Sequence, residues 1–223
     1  MLDIYGEATP TTISSIALKS LPRDAALASV RYLHHAVSGS RQVTPQLKEL
    51  FNGQHNPLNV IELGSGCGIV GIALAKLLPQ CSVLLTDLPE VEDIITRNIS
   101  TARLAPSSEI QYQNVDWDEE LPHDLCNTTV DLILISDCTY NADSSPALVS
   151  VLSQLARKSP KAIILVALKR RHDSEAVFFD LMQSAGFGAL DKDIVRLPSQ
   201  YGEFDRIEMY CYAVEGGSLE TPI

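Results

Sequence analysis

The chain has 223 residues, of which 45% are hydrophobic and 20% charged, and its formal net charge is −11. This length and composition are typical of one globular domain that is large enough to bury a core. The negative charge disfavours a general nucleic-acid binder, which needs a basic surface to meet phosphates. We expect residues 1–223 to form one domain, a monomer by default, that binds proteins or small molecules but no nucleic acid.

Membrane, secretory and metal-binding signals are missing from the sequence. No apolar run approaches the roughly 20 residues of a membrane span, and the first thirty residues lack a signal-peptide profile. The five cysteines are scattered without a C-x-x-C motif, and the five histidines show no ligand spacing. Such usage favours a reducing compartment and disfavours both a disulfide framework and a zinc site. We expect a cytoplasmic protein, with the nucleus as the open alternative, and no metal and no membrane contact.

The amino-terminal part is predicted to lead into an α/β core. Residues 1–20 are rich in Ser and Thr and are expected to form a loose arm or an edge strand. Residues 22–57 are predicted to hold a helix and a connector, because apolar residues recur at three- and four-residue steps. The core is expected at 58–214, and a flexible tail at 215–223.

From residue 58 onwards, predicted strands and helices alternate. The strands are predicted at 58–63, 82–86, 110–115, 130–136, 161–168, 191–197 and 204–214, and the helices at 67–78, 89–103, 145–157 and 174–185. The central strands are apolar throughout, which is typical of parallel strands buried on both faces. The last two strands leave no room for a helix between them and should pair antiparallel. The expected fold is a Rossmann-like, mostly parallel seven-stranded sheet with a C-terminal antiparallel strand, helices on both faces and an N-terminal helix.

A glycine-rich turn follows the first predicted strand, in the stretch VIELGSGCGIVG at 60–71. Glycines at alternate positions allow positive φ and let a ligand lie directly against the backbone. Read as Gly66-x-Gly68-x-x-Gly71, the turn fits the dinucleotide fingerprint. However, the nearby carboxylate of Glu62 would then face an anionic pyrophosphate.

The same turn fits a second frame, Glu62-x-Gly64-x-Gly66-x-Gly68, which resembles the motif of class I S-adenosylmethionine-dependent methyltransferases. That cofactor carries a sulfonium and an ammonium group and no phosphate, so neighbouring carboxylates are favourable. We prefer this frame to the dinucleotide frame for that reason.

Acidic residues stand at the ends of the next three predicted strands: Asp87, Asp116 and Asp137. The carboxyl ends of parallel strands share one edge of the sheet, so we expect these acids in a single crevice. In either cofactor class, Asp87 is placed to accept hydrogen bonds from both ribose hydroxyls. The methyltransferase resemblance implies that Asp116 accepts from the adenine amine and that Trp117 flanks the ring.

Taken together, the segments resemble the seven-β-strand protein-lysine methyltransferases of the METTL21-like group, the methyltransferase 16 family. The resemblance covers about residues 22–213, and its most specific element is D-x-x-Y after strand four together with D-W after strand three. Members of this group usually carry a tryptophan just ahead of the first helix, and the corresponding stretch of this chain, 21–26, has none. The matching segments are 60–75, Thr86-Asp87-Leu88, Val115-Asp116-Trp117, Asp137-Cys138-Thr139-Tyr140 and Lys169-Arg170-Arg171.

This resemblance implies S-adenosyl-L-methionine as cofactor, S-adenosyl-L-homocysteine as product and a lysine side chain of a protein as acceptor. It implies catalytic roles for Asp137, which would guide the incoming ammonium or hold the cofactor's amino group, and for Tyr140 beside the nucleophilic nitrogen. The expected cofactor-binding residues are Glu62, Gly64, Ser65, Gly66, Gly68, Asp87, Leu88, Asp116, Trp117 and Ser136.

Several alternatives remain open from the residues. The same fold serves small-molecule amine N-methyltransferases, and a non-catalytic, cofactor-binding scaffold protein would carry the same turn. D-x-x-Y also resembles the D-P-P-Y of amide and DNA N-methyltransferases, but Cys138 and Thr139 replace the prolines. The basic segment 169–171 is predicted either to contact an acidic substrate or to fix a loop, or else to be solvated.

Overall fold

The computed structural model describes residues 24–39, 43–52, 57–139, 141–170, 176–198 and 204–215. The arm expected at 1–20, the tail at 216–223 and Tyr140 lie outside these residues. The helices are α1 Asp24–Val37, α2 Pro45–Asn52, α3 Ile69–Leu77, α4 Glu92–Thr101, α5 His123–Asn127, α6 Ser145–Lys158 and α7 Ala176–Ser184, with single 3₁₀ turns at Pro89–Val91 and Ala142–Ser144. The strands are β1 Leu58–Leu63, β2 Cys81–Asp87, β3 Glu109–Asn114, β4 Leu132–Ser136, β5 Ile163–Leu168, β6 Phe187–Pro198 and β7 Phe204–Val214.

Within the described residues the strands form one seven-stranded sheet in the order β3-β2-β1-β4-β5-β7-β6. Strands β1 to β5 pair in parallel, whereas β7 is antiparallel to both β5 and β6. Each parallel connection passes through a helix or a long crossover, as parallel pairing requires. The predicted Rossmann-like fold is confirmed.

Two hydrophobic layers cover the sheet because its central strands are apolar on both faces. Val60 of β1 packs on one side with helices α1, α2, α3 and α4. Ile61 and Leu63 pack on the other side with α5, α6 and α7. No helix in the described ranges has the length and apolar character that crossing a membrane would need.

Helix α1 is the element that carries the amino-terminal part of the chain onto the sheet. Its buried side includes Leu33 and three alanines at helical spacing, Ala25, Ala28 and Ala36. Small side chains let the helix approach closely, and it lies against α3 and against strands β5, β6 and β7. Consequently α1 reaches the carboxyl edge of the sheet, where the candidate site is.

Candidate functional site

The candidate site lies at the carboxyl ends of the neighbouring strands β1 and β4. From β1 the chain continues to β2 and β3 on one side, and from β4 it continues to β5 on the other, so the strand order reverses between them. Connections diverge from this point to the two sides of the sheet, which opens a crevice in α/β folds. A cavity of about 560 Å³ occupies it. Asp137 and nine of the ten predicted cofactor residues line this cavity, namely Glu62, Gly64, Ser65, Gly66, Asp87, Leu88, Asp116, Trp117 and Ser136.

The glycine turn brings the backbone close to neighbouring side chains. Gly64 has a φ of +65°, and a Cβ placed on it would lie 2.6 Å from the Cys138 Sγ and 3.1 Å from Trp117 Cζ2. A side chain at position 64 would therefore both strain the backbone and displace the wall of the cavity. Burial raises the pKa of the Cys138 thiol to about 12, so it stays protonated and donates to the Leu63 carbonyl at 3.4 Å.

Gly68, the tenth predicted cofactor residue, lies behind the cavity and is not one of its lining residues. A Cβ on Gly68 would lie 2.8 Å from Leu85 Cδ1 of strand β2. Its N–H donates to the Ser65 carbonyl at 2.8 Å, which closes the turn immediately before α3. Gly68 therefore allows the helix to pack closely on the sheet.

Glu62 is buried at the first turn of α3. Its Oε2 accepts a hydrogen bond of 2.8 Å from the Gly71 N–H, and the residue is 1% exposed. Burial raises the pKa of this carboxyl to about 8, against the opposing effect of the Gly71 N–H. One N–H at the start of the helix is thus taken by a carboxyl oxygen of the chain itself, which makes this helix terminus a poor pyrophosphate site.

Asp87 is held in place by two backbone donors. Its Oδ2 accepts from the Gly66 N–H at 2.6 Å and its Oδ1 accepts from the Leu88 N–H at 2.8 Å. Each carboxylate oxygen has a second lone pair that remains available. The carboxylate is therefore oriented in advance towards the cavity, with acceptor capacity for two ligand hydroxyls.

Ser65 offers an unused hydroxyl to the same cavity. The residue is 6% exposed, and its Oγ has no hydrogen-bond partner among the described residues. Its backbone N–H donates to the Thr86 carbonyl at 3.0 Å, which fixes the residue between β1 and β2. Buried hydroxyls are nearly always hydrogen-bonded, so this one indicates a polar ligand at the turn.

The end of β4 places Asp137 in an unusual backbone conformation. Its φ is +58°, it is 4% exposed, and its N–H donates to the Ala167 carbonyl at 2.8 Å. Asp tolerates the left-handed region better than most residues, and such conformations concentrate at functional sites. The position of its predicted catalytic partner, Tyr140, is not described.

Ser136 connects the cavity to helix α1. Its Oγ lies 2.8 Å from the Ser29 Oγ, and the Ser29 hydroxyl donates to the Ala25 carbonyl at 2.9 Å. Ala26 of the same helix lines the cavity. No sequence pattern predicts either contribution, because a small residue on the buried side of a helix is usually part of the core.

The basic segment after β5 makes structural contacts. Lys169 Nζ lies 2.8 Å from Asp24 Oδ2 and 2.9 Å from Asp205 Oδ1, so it links α1 to β7. Arg170 lies 3.5 Å from Glu208. These contacts favour the fixing of a loop over direct contact with a substrate, and Arg171 lies outside the described residues.

The electrostatic character of the cavity follows from its lining residues. In the described part of the chain, five of these lining residues are acids and none is Lys, Arg or His. A cavity with this balance attracts cations and disfavours anions such as phosphates. The acidic lining residues are Glu62, Asp87, Asp116, Asp118 and Asp137.

Comparison with known proteins identifies relatives of this chain. The chain is 29% identical to the protein-lysine N-methyltransferase EFM6 of Saccharomyces cerevisiae over 63% of its length and 61% of that protein. It is 29% identical to the calmodulin-lysine N-methyltransferase of Arabidopsis thaliana (62% of this chain, 44% of the relative) and 31% identical to the EEF1A lysine methyltransferase 3 of Xenopus tropicalis (55% and 53%). The chain thus spans about half the length of the curated relatives it matches.

The fold also matches a solved structure, that of a SAM-dependent methyltransferase from Methanosarcina mazei. The TM-score is 0.58 at 11% identity, over 80% of this chain and 100% of the other. Residues 12–185 match the family model described as lysine methyltransferase. On that match, the chain belongs to the lysine methyltransferase family.

Proposed function

We propose that the protein is an S-adenosyl-L-methionine-dependent N-methyltransferase that methylates a lysine side chain of a protein. The observation that carries the proposal is the cavity at the strand-order reversal: of the residues that the structure describes, five acids and no basic side chain line it. Both the methyl donor and a lysine are cations, so one acidic cavity suits the two ligands.

The residues present fit the donor. The carboxylate of Asp87 is oriented for ribose hydroxyls, and Ser65 presents a buried hydroxyl that has no other partner. Asp116 and Trp117 stand beside the same cavity and would hold the adenine. When bound, S-adenosyl-L-methionine supplies an activated methyl group on a sulfonium. Glu62 and Asp137 would offset the positive charge of that end of the molecule.

The acceptor has to reach the site uncharged. A lysine has a pKa of about 10.4 in water, so its nitrogen must lose a proton before it can attack. Removal from water lowers the pKa of an ammonium group, whereas the carboxylates of the cavity raise it; the species that reacts is the fraction that has released its proton to water. We infer that Asp137 guides the ammonium inward and that Tyr140 aligns the neutral amine, which is largely a matter of orientation.

The substrate class is proposed from the relatives. Those named for a substrate are named for different ones, calmodulin and EEF1A. All the same, each name specifies a lysine of a protein. We therefore assign this chain a protein-lysine substrate in the cytoplasm or nucleus, where its five free cysteines stay reduced.

The test is transfer of labelled methyl groups from S-adenosyl-L-methionine into a cell extract that lacks this enzyme. We expect label in a protein band, and mass spectrometry should place it on a lysine. Asp87→Ala should strongly reduce labelling at a limiting concentration of the donor, whereas Asp131→Ala, which alters an acid away from the cavity, should not.

Other outcomes identify the alternatives. Label recovered only in small molecules would indicate a small-molecule amine N-methyltransferase. Calorimetric binding of S-adenosyl-L-methionine with no transfer to any fraction would indicate a non-catalytic binding protein. Either result would contradict the proposed function.

A further inference from the structure

One face of the β6–β7 hairpin is open to solvent and carries an unusual set of side chains. Residues directly opposite each other in paired strands point to the same side of the sheet. The pairs on this face are Ile194–Glu208, Arg196–Arg206 and Pro198–Phe204. Phe204 is 65% exposed and Ile194 36%, and both arginines are exposed. We call Ile194, Arg196, Pro198, Phe204 and Arg206 the hairpin face.

The opposite side of the same hairpin is part of the core. Ile207 is fully buried there, and Val195 and Leu197 pack against the first hydrophobic layer. The hairpin is therefore anchored on one side only. Its other side presents an aromatic ring and an aliphatic side chain to solvent, which singly would be ordinary but together form an apolar patch.

Among the described residues, none forms an ion pair with the two arginines of the hairpin face. Like charges directly opposite each other across two strands are destabilising, yet Arg196 lies opposite Arg206. Neither guanidinium forms an ion pair with any described residue, although the chain has 28 acids and 17 basic residues. The nearest acid on this face, Glu208, already pairs with Lys192 at 3.1 Å.

A third guanidinium lies at the same strand. Arg31 of α1 donates to the Arg196 carbonyl at 3.4 Å, at the outer edge of the sheet. In a chain of net charge −11, this concentration of cations is a local reversal of the overall charge. An anionic partner would relieve the repulsion that the isolated hairpin bears.

The hairpin face lies on the same side of the molecule as the cavity. Leu168, the last residue of β5, pairs with Glu208. The residues of β7 before 208 therefore continue past the carboxyl edge of the parallel strands, as the 2.9 Å contact between Asp205 and Lys169 also indicates. Three strand spacings separate β4 from β6, which is about 14 Å. One small amine cannot contact both places, but a folded protein can.

We propose that the hairpin face docks an acidic segment, bearing at least one apolar side chain, of the protein whose lysine enters the cavity. This assignment rests on the proposed function and adds to it where the substrate is recognised. The acidic cavity attracts the lysine and the basic hairpin face attracts carboxylates, so the two charges orient one substrate. A nucleic acid would also meet the arginines, but the five carboxyl groups of the cavity would repel its phosphates.

The experiment compares two double charge reversals in the labelling assay. Arg196→Glu with Arg206→Glu alters the hairpin face. Arg103→Glu with Lys161→Glu makes the same charge change at two exposed positions that precede the amino ends of β3 and β5, away from the cavity. We expect the first pair to raise the KM for the labelled protein about tenfold or more. The Kd for S-adenosyl-L-methionine and the turnover of a short peptide around the target lysine should stay unchanged. The control pair should alter each quantity less than twofold.

A reciprocal change then identifies the docked segment. In the substrate protein, the acidic residues nearest the target lysine are replaced by lysine. This change should raise turnover by the Arg196→Glu, Arg206→Glu variant but should not raise turnover by the wild type. Equal labelling by the wild type and the hairpin variant would overturn the docking assignment and leave the proposed function standing. No labelled protein with the wild type would overturn both, and label in RNA would replace a protein partner by a nucleic acid.

Discussion

Asp87 serves two purposes with one carboxylate, because it fixes the glycine turn and faces the cavity. Asp87→Ala removes the acceptor of both the Gly66 and Leu88 N–H groups as well as the ligand contacts. Hydrogen bonds to a charged group contribute about 1.5–3 kcal/mol, so we expect affinity for S-adenosyl-L-methionine to fall about 10- to 100-fold. Isothermal calorimetry measures the change.

Asp131 offers a matched control for this substitution. Its Oδ2 accepts from the Asn59 N–H at 2.9 Å, at the amino-terminal edge of the sheet. Asp131→Ala should therefore cost a similar amount of stability and leave cofactor affinity intact. Unchanged affinity in Asp87→Ala would remove Asp87 from the ribose site.

We infer that Ser29 positions Ser136, and that its effect depends on which of the two hydroxyl groups donates the hydrogen bond between them. Its hydroxyl hydrogen is given to the Ala25 carbonyl, so the 2.8 Å contact with Ser136 is satisfied only if Ser136 donates. Ser136 then faces the cavity as an acceptor, suited to an N–H group of the donor or the lysine. We predict that Ser29→Ala lowers kcat/KM about fivefold, which is about one hydrogen bond.

The prediction is separated from a general loss of stability by a double-mutant cycle. Ser29→Ala should have no further effect on kcat/KM in a Ser136→Ala background, since the two act together. Ser153→Ala is the control, because Ser153 donates to the Val149 carbonyl at 2.9 Å in the same helical manner. Additive effects of Ser29→Ala and Ser136→Ala would show that Ser29 does not act through Ser136.

The sequence predicted those site residues that adjoin strand ends, and missed those that arrive from elsewhere. Asp87 is the last residue of β2, and Asp116 and Asp137 come just after β3 and β4; parallel topology places such positions at one edge. Ser29 and Ala26 come from a helix that packs on the sheet by tertiary contact alone. No local pattern distinguishes a serine that meets the site from one that fills a core.

Lys169 fastens helix α1 to the sheet. Its ammonium lies between Asp24 at the start of α1 and Asp205 of β7, and these side-chain hydrogen bonds raise the pKa of the lysine. Lys169→Met keeps the aliphatic stem but removes both ion pairs. These groups are partly exposed, so we expect a loss of stability of about 1 kcal/mol or less.

The larger effect of Lys169→Met should be local. Hydrogen exchange of the α1 amides should speed up while the amides of β1 and β4 keep their protection. Cofactor affinity should fall a few-fold, because Ala26 and Ser29 belong to α1. Uniform loss of protection across the sheet would contradict this assignment of the lysine to one element.

At the level of elements, apolar strands were predicted well and short or irregular elements poorly. Strand β1 has the predicted bounds, because its mostly apolar, buried residues run directly into the glycine turn at Gly64. Helix α5 was not predicted, since it has five residues and only Leu125 of them is buried. Strand β6 begins at Phe187 and not at 191, because a register shift between Ala189 and Asp191 breaks the alternation that marks a strand.

The stability of the whole molecule should depend on pH through Glu62. Burial raises the pKa of this carboxyl from 4.5 to about 8 in the folded state. Between these values the native state binds more protons than the unfolded state, so stability falls as pH rises from about 4.5 to about 8 and then levels off. Glu62→Gln, whose amide oxygen can still accept from Gly71, should remove this contribution.

Thermal unfolding from pH 5 to pH 9 tests the Glu62 prediction. We expect the Tm of Glu62→Gln, measured relative to that of the wild type, to rise by about 10 °C from pH 5 to pH 9. In the wild type, cofactor affinity should rise over the same range, because a cation favours the ionised carboxylate, and in the variant it should not. Parallel Tm curves would show that Glu62 is ionised throughout.

Helix α1 also sets the time at which the protein becomes competent during synthesis. The Ser29–Ser136 contact spans 107 residues and the Asp24–Lys169 contact 145. At ribosomal rates of 5–20 residues per second, α1 waits on the order of ten seconds for these partners. The cavity, which is lined in part by Ala26 of α1, is therefore one of the last features to form. A nascent chain halted before β4 would hold the glycine turn and four of the five acids of the cavity, but neither Ser136 nor Lys169, which hold α1 beside it.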